Sequence, residues 1–164
     1  MKHYRHYWAD PDPDAFETCV VEQGTVVDER RTPWDDLREN LPGIERNTYD
    51  SFWSKNERAW PTAPLDRGAM KLHVLTRAED SQLKAILRDV DRTDYWGIFG
   101  TRYGNAVRVG LSAPGFSADR QQAVIYYEAS FGDLAACAAC GCYCILKRGG
   151  DRWEIVAEYC VWES

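Results

Sequence analysis

The fold is decided by residues 105–164, which read NAVRVGLSAPGFSADRQQAVIYYEASFGDLAACAACGCYCILKRGGDRWEIVAEYCVWES. Four segments of this stretch alternate apolar with polar residues, and turn residues such as Pro114-Gly115, Gly132-Asp133 and Gly149-Gly150 separate them. The four segments are residues 106–112, 122–130, 138–147 and 152–162. Short turns between neighbouring strands predict an antiparallel meander.

The upstream residues have mainly helical patterns. Thr32-Pro33 suits the start of a helix that Leu41-Pro42-Gly43 would stop, since Thr is a good N-cap and Pro suits the first helical position. Two further helices are predicted, one capped by Asn47 and running to about Ala59, and one over residues 76–90 with apolar residues at helical spacing.

The remaining upstream segments read as strands and a loop. Residues 15–27 and 72–75 are rich in β-branched and apolar residues and predict strands, although a short helix over residues 12–20 is an alternative to the first. Residues 91–104 contain three glycines and predict a loop with one turn of helix.

Helices followed by strands predict one α+β domain over residues 15–164, preceded by a surface arm over residues 1–14. We expect a four- to six-stranded, mostly antiparallel sheet with two or three helices packed on one face. The balance of 45% hydrophobic and 28% charged residues is that of a globular chain.

Composition excludes several classes of function. The net charge of −6 and the lack of a basic tract disfavour nucleic-acid binding. No window approaches 18 apolar residues, so no membrane span is expected, and the N-terminus lacks the apolar run of a signal peptide. We therefore expect a cytoplasmic protein whose six cysteines are thiols and not disulfides.

The cysteines of the third strand are predicted to be core residues. A hairpin loop around residues 148–151 would place Leu146 opposite Trp153 and continue that pairing along the strand. The expected further pairs are Cys144 with Ile155, Cys142 with Ala157 and Cys140 with Tyr159, with Cys160 on the opposite face. These cysteines would then lie in a row beneath the helices, packed like small hydrophobic side chains.

A metal or redox site is the alternative reading of the cysteines. Thiolates from Cys137, Cys140, Cys142 and Cys144 are ligands that zinc and copper(I) favour. Cysteines at positions i and i+4 of a strand are about 13 Å apart, whereas zinc–sulfur bonds are about 2.3 Å. We therefore expect no metal and no cofactor.

Two other groups of residues are candidate sites. Glu154 and Glu158 are predicted to share one face of the last strand, where Glu128 would join them as a general acid–base group if burial separated their pKa values. A solvated face is the simpler reading. The other group is Trp96, Phe99, Arg102 and Tyr103, which have the residue types that anchor protein interfaces. The alternative is that the aromatic side chains of this loop pack on the core and do not bind a partner.

Several motifs follow one another in a fixed order along the chain. They are Val109-Gly-Leu-Ser112, Gly115-Phe116-Ser, Gln122-Ala-Val-Ile-Tyr126, Gly141-Cys-Tyr-Cys-Ile-Leu-Lys147, Trp153-Glu-Ile-Val156 and Trp162-Glu-Ser164, with Leu41-Pro-Gly43 and Phe52-Trp-Ser-Lys-Asn56 upstream. This order resembles a set of uncharacterised bacterial proteins, often lipoproteins, over roughly residues 18–164. The resemblance implies an α+β fold and carries no catalytic residue. The chain departs from the set in lacking an export signal and in having cysteine at 140, 142 and 144.

Three functions are compatible with these observations. The first is a non-enzymatic, cytoplasmic module that binds a protein partner, with an immunity-type inhibitor as one form. The acidic charge, the 13% aromatic content and the lack of a catalytic motif favour it. The alternatives are a small-molecule enzyme or ligand-binding protein that uses Glu128, Glu154 and Glu158, and a thiolate metal or redox protein.

Overall fold

A seven-stranded mixed sheet organises the residues that the computed structural model describes, which are 18–61 without 23, 27 and 30, 71–132, and 137–164. Its elements are β1 (Thr18–Val21), α1 (Trp34–Asn40), α2 (Arg46–Lys55), β2 (Lys71–Val74), α3 (Arg77–Asp89), α4 (Arg92–Tyr103), β3 (Ala106–Leu111), β4 (Gly115–Phe116), β5 (Gln122–Gly132), β6 (Cys137–Gly149) and β7 (Arg152–Glu163). The predicted α+β class is confirmed. The described residues form one strand and one helix more than we expected, because β4 and α4 were not among the predicted elements. The predicted arm lies outside the described residues.

The order of the strands is β2-β1-β3-β5-β6-β7, and the short β4 also pairs with β5. Strands β3, β5, β6 and β7 form the antiparallel meander that the last sixty residues predict. By contrast, β1 pairs in parallel with both β2 and β3. Parallel neighbours require long crossover connections, and here the helices lie in those connections.

All four described helices pack on one face of the sheet, as their core contacts and the strand register together show. Val20 lies opposite Arg108, and Arg108 lies opposite Ser130, so these three side chains share a face. In β5, Tyr126 and Val124 lie four and six residues before Ser130. Side chains of a strand alternate between its faces, so these two point to the same face as Ser130. Val20 packs with α3 and α4, whereas Val124 and Tyr126 pack with α1 and α2. We call this side the helical face and the other side the open face.

Two apolar clusters fill the helical face. The first joins α1 and α2 to β5 and β6 through Leu37, Leu41, Ile44, Phe52, Val124, Tyr126, Tyr143 and Ile145. The second joins α3 and α4 to β1 and β3 through Val20, Leu75, Leu83, Tyr95, Trp96, Phe99 and Ala106. Phe52 is fully buried, and its ring meets that of Tyr143 at 5.6 Å. Burying such a ring stabilises the fold by about 1.5–3 kcal/mol.

The predicted helix starts are only partly right. α3 begins with a capping box, in which the Glu79 amide donates to Thr76 Oγ1 and the Thr76 amide donates to Glu79 Oε2 at 2.8 Å. α1 begins after Pro33, without a side-chain cap. Thr32, the expected cap, instead donates from its amide and its hydroxyl to the buried carboxylate of Asp28. α2 starts at Arg46, one residue before the expected cap.

Residues 92–103 form the twelve-residue helix α4 and not the predicted loop. Asp91 caps it by accepting from the Asp94 amide at 2.9 Å, and Gly104 ends it with a positive φ of 74°. Each glycine inside a helix costs about 1 kcal/mol relative to alanine. The burial of three aromatic side chains offsets this cost, because Tyr95, Trp96 and Phe99 face the second cluster.

The register of the β6–β7 hairpin differs from our prediction. Its turn is two residues long, since Gly149 pairs with Arg152 and Gly150 has the positive φ that such turns favour. Two β-bulges in β7 then shift the register further. The partners of Leu146, Cys144, Cys142 and Cys140 are Ile155, Glu158, Cys160 and Glu163. The prediction was wrong because it placed the turn one residue early and assumed unbroken alternation.

Candidate functional site

The open face of the sheet is largely apolar from β2 to β7. The half-buried side chains that lie on it are Leu72, Val74, Val107, Val109, Leu111, Ile125, Tyr127, Phe131 and Leu146. No helix of the described part of the chain packs on this face. The usual pattern is different, because the uncovered side of an antiparallel sheet normally carries polar residues.

β7 adds three exposed apolar side chains to one edge of this face. The exposed fractions are 38% for Trp153, 63% for Ile155 and 51% for Val156. Val156 is the extra residue of a bulge, since Ile145 pairs with Ala157 and Leu146 pairs with Ile155. A bulge turns two consecutive side chains toward one side of a strand, so Ile155 and Val156 lie together beside Leu146. We call Trp153, Ile155 and Val156 the β7 ridge.

The cysteine row lies on this open face and not beneath the helices. Cys140, Cys142 and Cys144 are buried among larger neighbours, and Tyr127 of β5 lies opposite Cys142. Cys142 is also opposite Cys160 of β7 and forms a disulfide with it, with an S–S distance of 1.97 Å. The expectation that all six cysteines are thiols is therefore wrong. The bulge at Val156 brings Cys160 to the face from which our register excluded it, because one extra residue moves the following side chains of β7 to the other face.

The two remaining cysteines of the row are thiols at neutral pH. Burial, with a smaller contribution from the Glu158 carboxylate, raises the pKa of Cys140 to about 11 and that of Cys144 to about 12. Cys144 Sγ donates to Glu158 Oε1 at 3.5 Å. Zinc and copper(I) bind thiolates, and Cys142 is held in the disulfide. Nowhere in the described residues do three or more His, Cys, Asp or Glu side chains form a group that could hold a metal ion.

The three predicted carboxylates do not share a face. Glu158 lies on the open face opposite Cys144. Glu128 and Glu154 lie on the helical face, opposite Gly141 and Lys147. These two positions of β6 are six residues apart, which is about 20 Å along a strand. The bulge at Val156 separates Glu154 from Glu158, so the geometry gives no acid–base pair among the three.

Glu128 is half-buried on the helical face and is held there by a hydrogen-bond chain. Its Oε1 accepts from the Tyr126 hydroxyl at 2.9 Å, and that hydroxyl accepts from Trp162 Nε1 at 2.9 Å. Burial is the main cause that raises the pKa of Glu128, and the charges of Glu22, Glu29 and Asp28 add to it. The hydrogen bond from Tyr126 acts in the opposite direction. Relative to the unfolded chain, the folded state therefore favours the protonated form of Glu128 over the ionised form.

Glu128→Gln is expected to make the protein more stable than the wild type at about pH 8, with the advantage vanishing near pH 4. The folded-state pKa of Glu128 lies above its ordinary value of 4.5, so the folded state binds the proton more tightly. The stability that this group contributes to the wild type is thus lost as pH rises from about 4.5 through the raised folded-state pKa, whereas Gln does not ionise. Thermal unfolding across this pH range measures the difference. Glu154→Gln, an exposed change on the same face, is the control, and an equal gain in both variants would contradict the assignment.

The proposed interface anchors divide between the core and the surface. Trp96 and Phe99 are buried in the second cluster, and Tyr103 lies against Phe99 with ring centroids 4.9 Å apart. Arg102 is exposed and donates to Gln82 Oε1 at 3.2 Å. The alternative reading, aromatics packed on the core, therefore describes Trp96 and Phe99.

The residues that sequence reasoning missed are those of the β7 ridge. Our register placed Ile155 opposite Cys144 in the core. The signal for the true arrangement is the run Ile155-Val156-Ala157, in which three apolar residues interrupt the alternation of a strand. Such an interruption is typical of a bulge.

No helix among the described residues is long and apolar enough to cross a membrane. Comparison of the chain with models of protein families, with curated proteins and with solved structures finds no match. The resemblance to the bacterial set therefore stays a prediction.

Proposed function

We propose that the chain is a protein-binding module and that the open face, together with the β7 ridge of Trp153, Ile155 and Val156, binds the partner. The observation that carries the proposal is the apolar character of a sheet face on which no described helix packs. Single exposed apolar residues are common on proteins, but large contiguous patches mark interaction sites.

The size of the open face suits a protein partner. Six strands at about 4.8 Å spacing span about 24 Å, and six residues along a strand span about 20 Å. The projected area is therefore about 500 Å², of which the half-buried side chains of the face expose a part. The ridge extends this surface toward the roughly 800 Å² per partner of a standard interface. A small ligand would leave most of this face uncovered.

Charge indicates the chemistry of the partner. The chain has a net charge of −6, and Glu158 and Glu163 lie on the open side of β7. Arg148 near the turn is the one cation on that side of the β6–β7 hairpin. An apolar surface rimmed by basic residues complements this arrangement, since opposite potentials speed association and select the partner. An immunity-type inhibitor falls within this proposal, because a bound module blocks the surface it covers.

The test compares two equally simple substitutions of exposed apolar residues. Ile155→Lys places a charge in the ridge, whereas Leu87→Lys does so on α3, where Leu87 is 42% exposed. Chemical cross-linking in cells identifies proteins captured by the wild type, and the purified candidate is then titrated against all three proteins. We expect Ile155→Lys to weaken binding by about 30-fold, or about 2 kcal/mol, and Leu87→Lys to leave it unchanged. Binding should also weaken as salt rises.

Three results would count against the proposal. The first is a captured protein that binds Ile155→Lys as tightly as the wild type. The second is a partner with an acidic binding surface. The third is self-association that Ile155→Lys abolishes, which would assign the open face to a second copy of the chain.

A further inference from the structure

The outer side of α4 carries a single stripe of side chains. Its residues recur at the spacing that aligns positions on one side of a helix. They are Asp94, Gly97, Ile98, Thr101 and Arg102. Together with Ile86 and Val90 of α3 they line an open groove of about 660 Å³. This groove lies on the outside of the helical layer, away from the open face of the sheet.

The centre of the groove is apolar and accessible. Ile98 is 40% exposed although it lies in the middle of α4. Ile86 and Val90 form the α3 wall and are only partly buried against the second cluster. An apolar side chain of matching size would find contacts here that Ile98 and its neighbours lack in the isolated chain.

The two ends of the stripe carry opposite charges. Asp94 and Arg102 are both exposed, and each is four residues from Ile98. The hydrogen bond from Arg102 to Gln82 Oε1 holds the guanidinium beside α3. At 1.5 Å per residue, the two charges are about 12 Å apart along the helix axis, with the apolar centre between them.

We propose that a second copy of this chain docks its α4 antiparallel in this groove, with a two-fold axis near Ile98. In a two-fold interface the same contact occurs twice. Asp94 of each copy then faces Arg102 of the other, and the two Ile98 side chains meet at the centre. A parallel arrangement would place Asp94 against Asp94 and Arg102 against Arg102, so charge selects the antiparallel one.

The negative net charge does not prevent this association. Charges farther apart than the Debye length of about 8 Å are largely screened at physiological ionic strength. The Asp94–Arg102 pairs form within that length.

The dimer is expected to be weak. α3 and α4 side by side present a surface about 20 Å long and about 20 Å wide, so each copy contributes about 400 Å² of projected area. A total near 800 Å² is below the standard size and belongs to transient interfaces. We therefore expect a dissociation constant in the micromolar range.

Charge reversal gives a test with a built-in rescue. Sedimentation velocity from about 1 to about 500 µM measures the dimer. We expect the wild type to dimerise, and both Asp94→Arg and Arg102→Asp to weaken the homodimer at least about 10-fold. An equimolar mixture of the two variants should restore dimerisation, because opposite charges then meet at both ends of the heterodimer.

Asp35→Arg is the matched control, since Asp35 is an exposed acid in the first turn of α1 just as Asp94 is in α4. It should dimerise like the wild type, and circular dichroism checks the fold of every variant. A wild type that is monomeric throughout the range overturns the proposal, as does a mixture that stays monomeric. Loss of the dimer in Ile155→Lys but not in Asp94→Arg also overturns it.

Discussion

Gly115→Ala is expected to lower the free energy of unfolding by about 3 kcal/mol, the upper end of the usual cost of overpacking. A Cβ at this position would lie 2.5 Å from the amide nitrogen, Cα and Cβ of Phe52. Because two of these three atoms belong to the backbone of α2, a side-chain rotation cannot relieve the clash. The helix must move away from β4 and β5, and part of the first apolar cluster is then lost.

Denaturant unfolding measures this change, and the midpoint of thermal unfolding should fall by about 6–12 °C for a chain of this size. Gly100→Ala is the control, since the added Cβ meets no atom within 4 Å apart from its chain neighbours and the backbone of its own helix. It should raise stability by up to about 1 kcal/mol, because alanine favours a helix over glycine. Similar effects of the two substitutions would show that α2 does not approach Gly115 so closely.

Reduction of the Cys142–Cys160 disulfide is expected to lower the free energy of unfolding by about 3 kcal/mol. The two cysteines are 18 residues apart in the sequence, so the bond restricts a loop of moderate length in the unfolded chain. It also joins β7, the last strand in the order of the sheet, to β6. Urea unfolding with and without reductant measures the effect.

The variant in which both Cys142 and Cys160 are replaced by Ala is the control for this prediction. Its stability should be close to that of the reduced wild type and should not respond to reductant. Mass spectrometry of the alkylated, unreduced protein should find Cys140 and Cys144 modified after unfolding, with Cys142 and Cys160 protected. Modification of all four residues would contradict the disulfide.

Local patterns were sufficient to predict much of this fold. The apolar spacing of Leu83 and Ile86 marks α3 within two residues of its ends. The turn residues and the alternation of the last sixty residues mark β3, β5, β6 and β7. These signals involve residues that are close in the sequence, so they do not depend on knowing the rest of the structure.

Features that depend on distant residues were not predictable in this way. The parallel pairs of β1 are set by packing with segments far along the chain. The bulges in β7 are small in sequence but large in effect, because a shift of one residue moves every following side chain to the other face. That shift explains why the disulfide and the separation of Glu154 from Glu158 were missed together.

The place of the candidate site was not predictable from the sequence. Aromatic content and acidic charge favour a protein partner, and the proposed surface keeps that interpretation. Which apolar residues are exposed depends on the face that the helices cover, and the pattern of Ile125, Tyr127 and Leu146 does not contain this information. Trp96 and Phe99 show the converse, because they resemble interface residues but pack into the core.

The position of β1 has a consequence for how the chain folds. This strand lies between β2 and β3, yet those partners follow it by about 50 and about 90 residues, and contacts so distant in sequence form slowly. During synthesis β1 is the first of these strands to leave the ribosome, and it has no strand to join until about 50 further residues have followed it. The C-terminal meander, whose pairings are local, is then the expected folding nucleus. Docking of Val20 and Val21, which are fully buried in the finished molecule, would be among the last events.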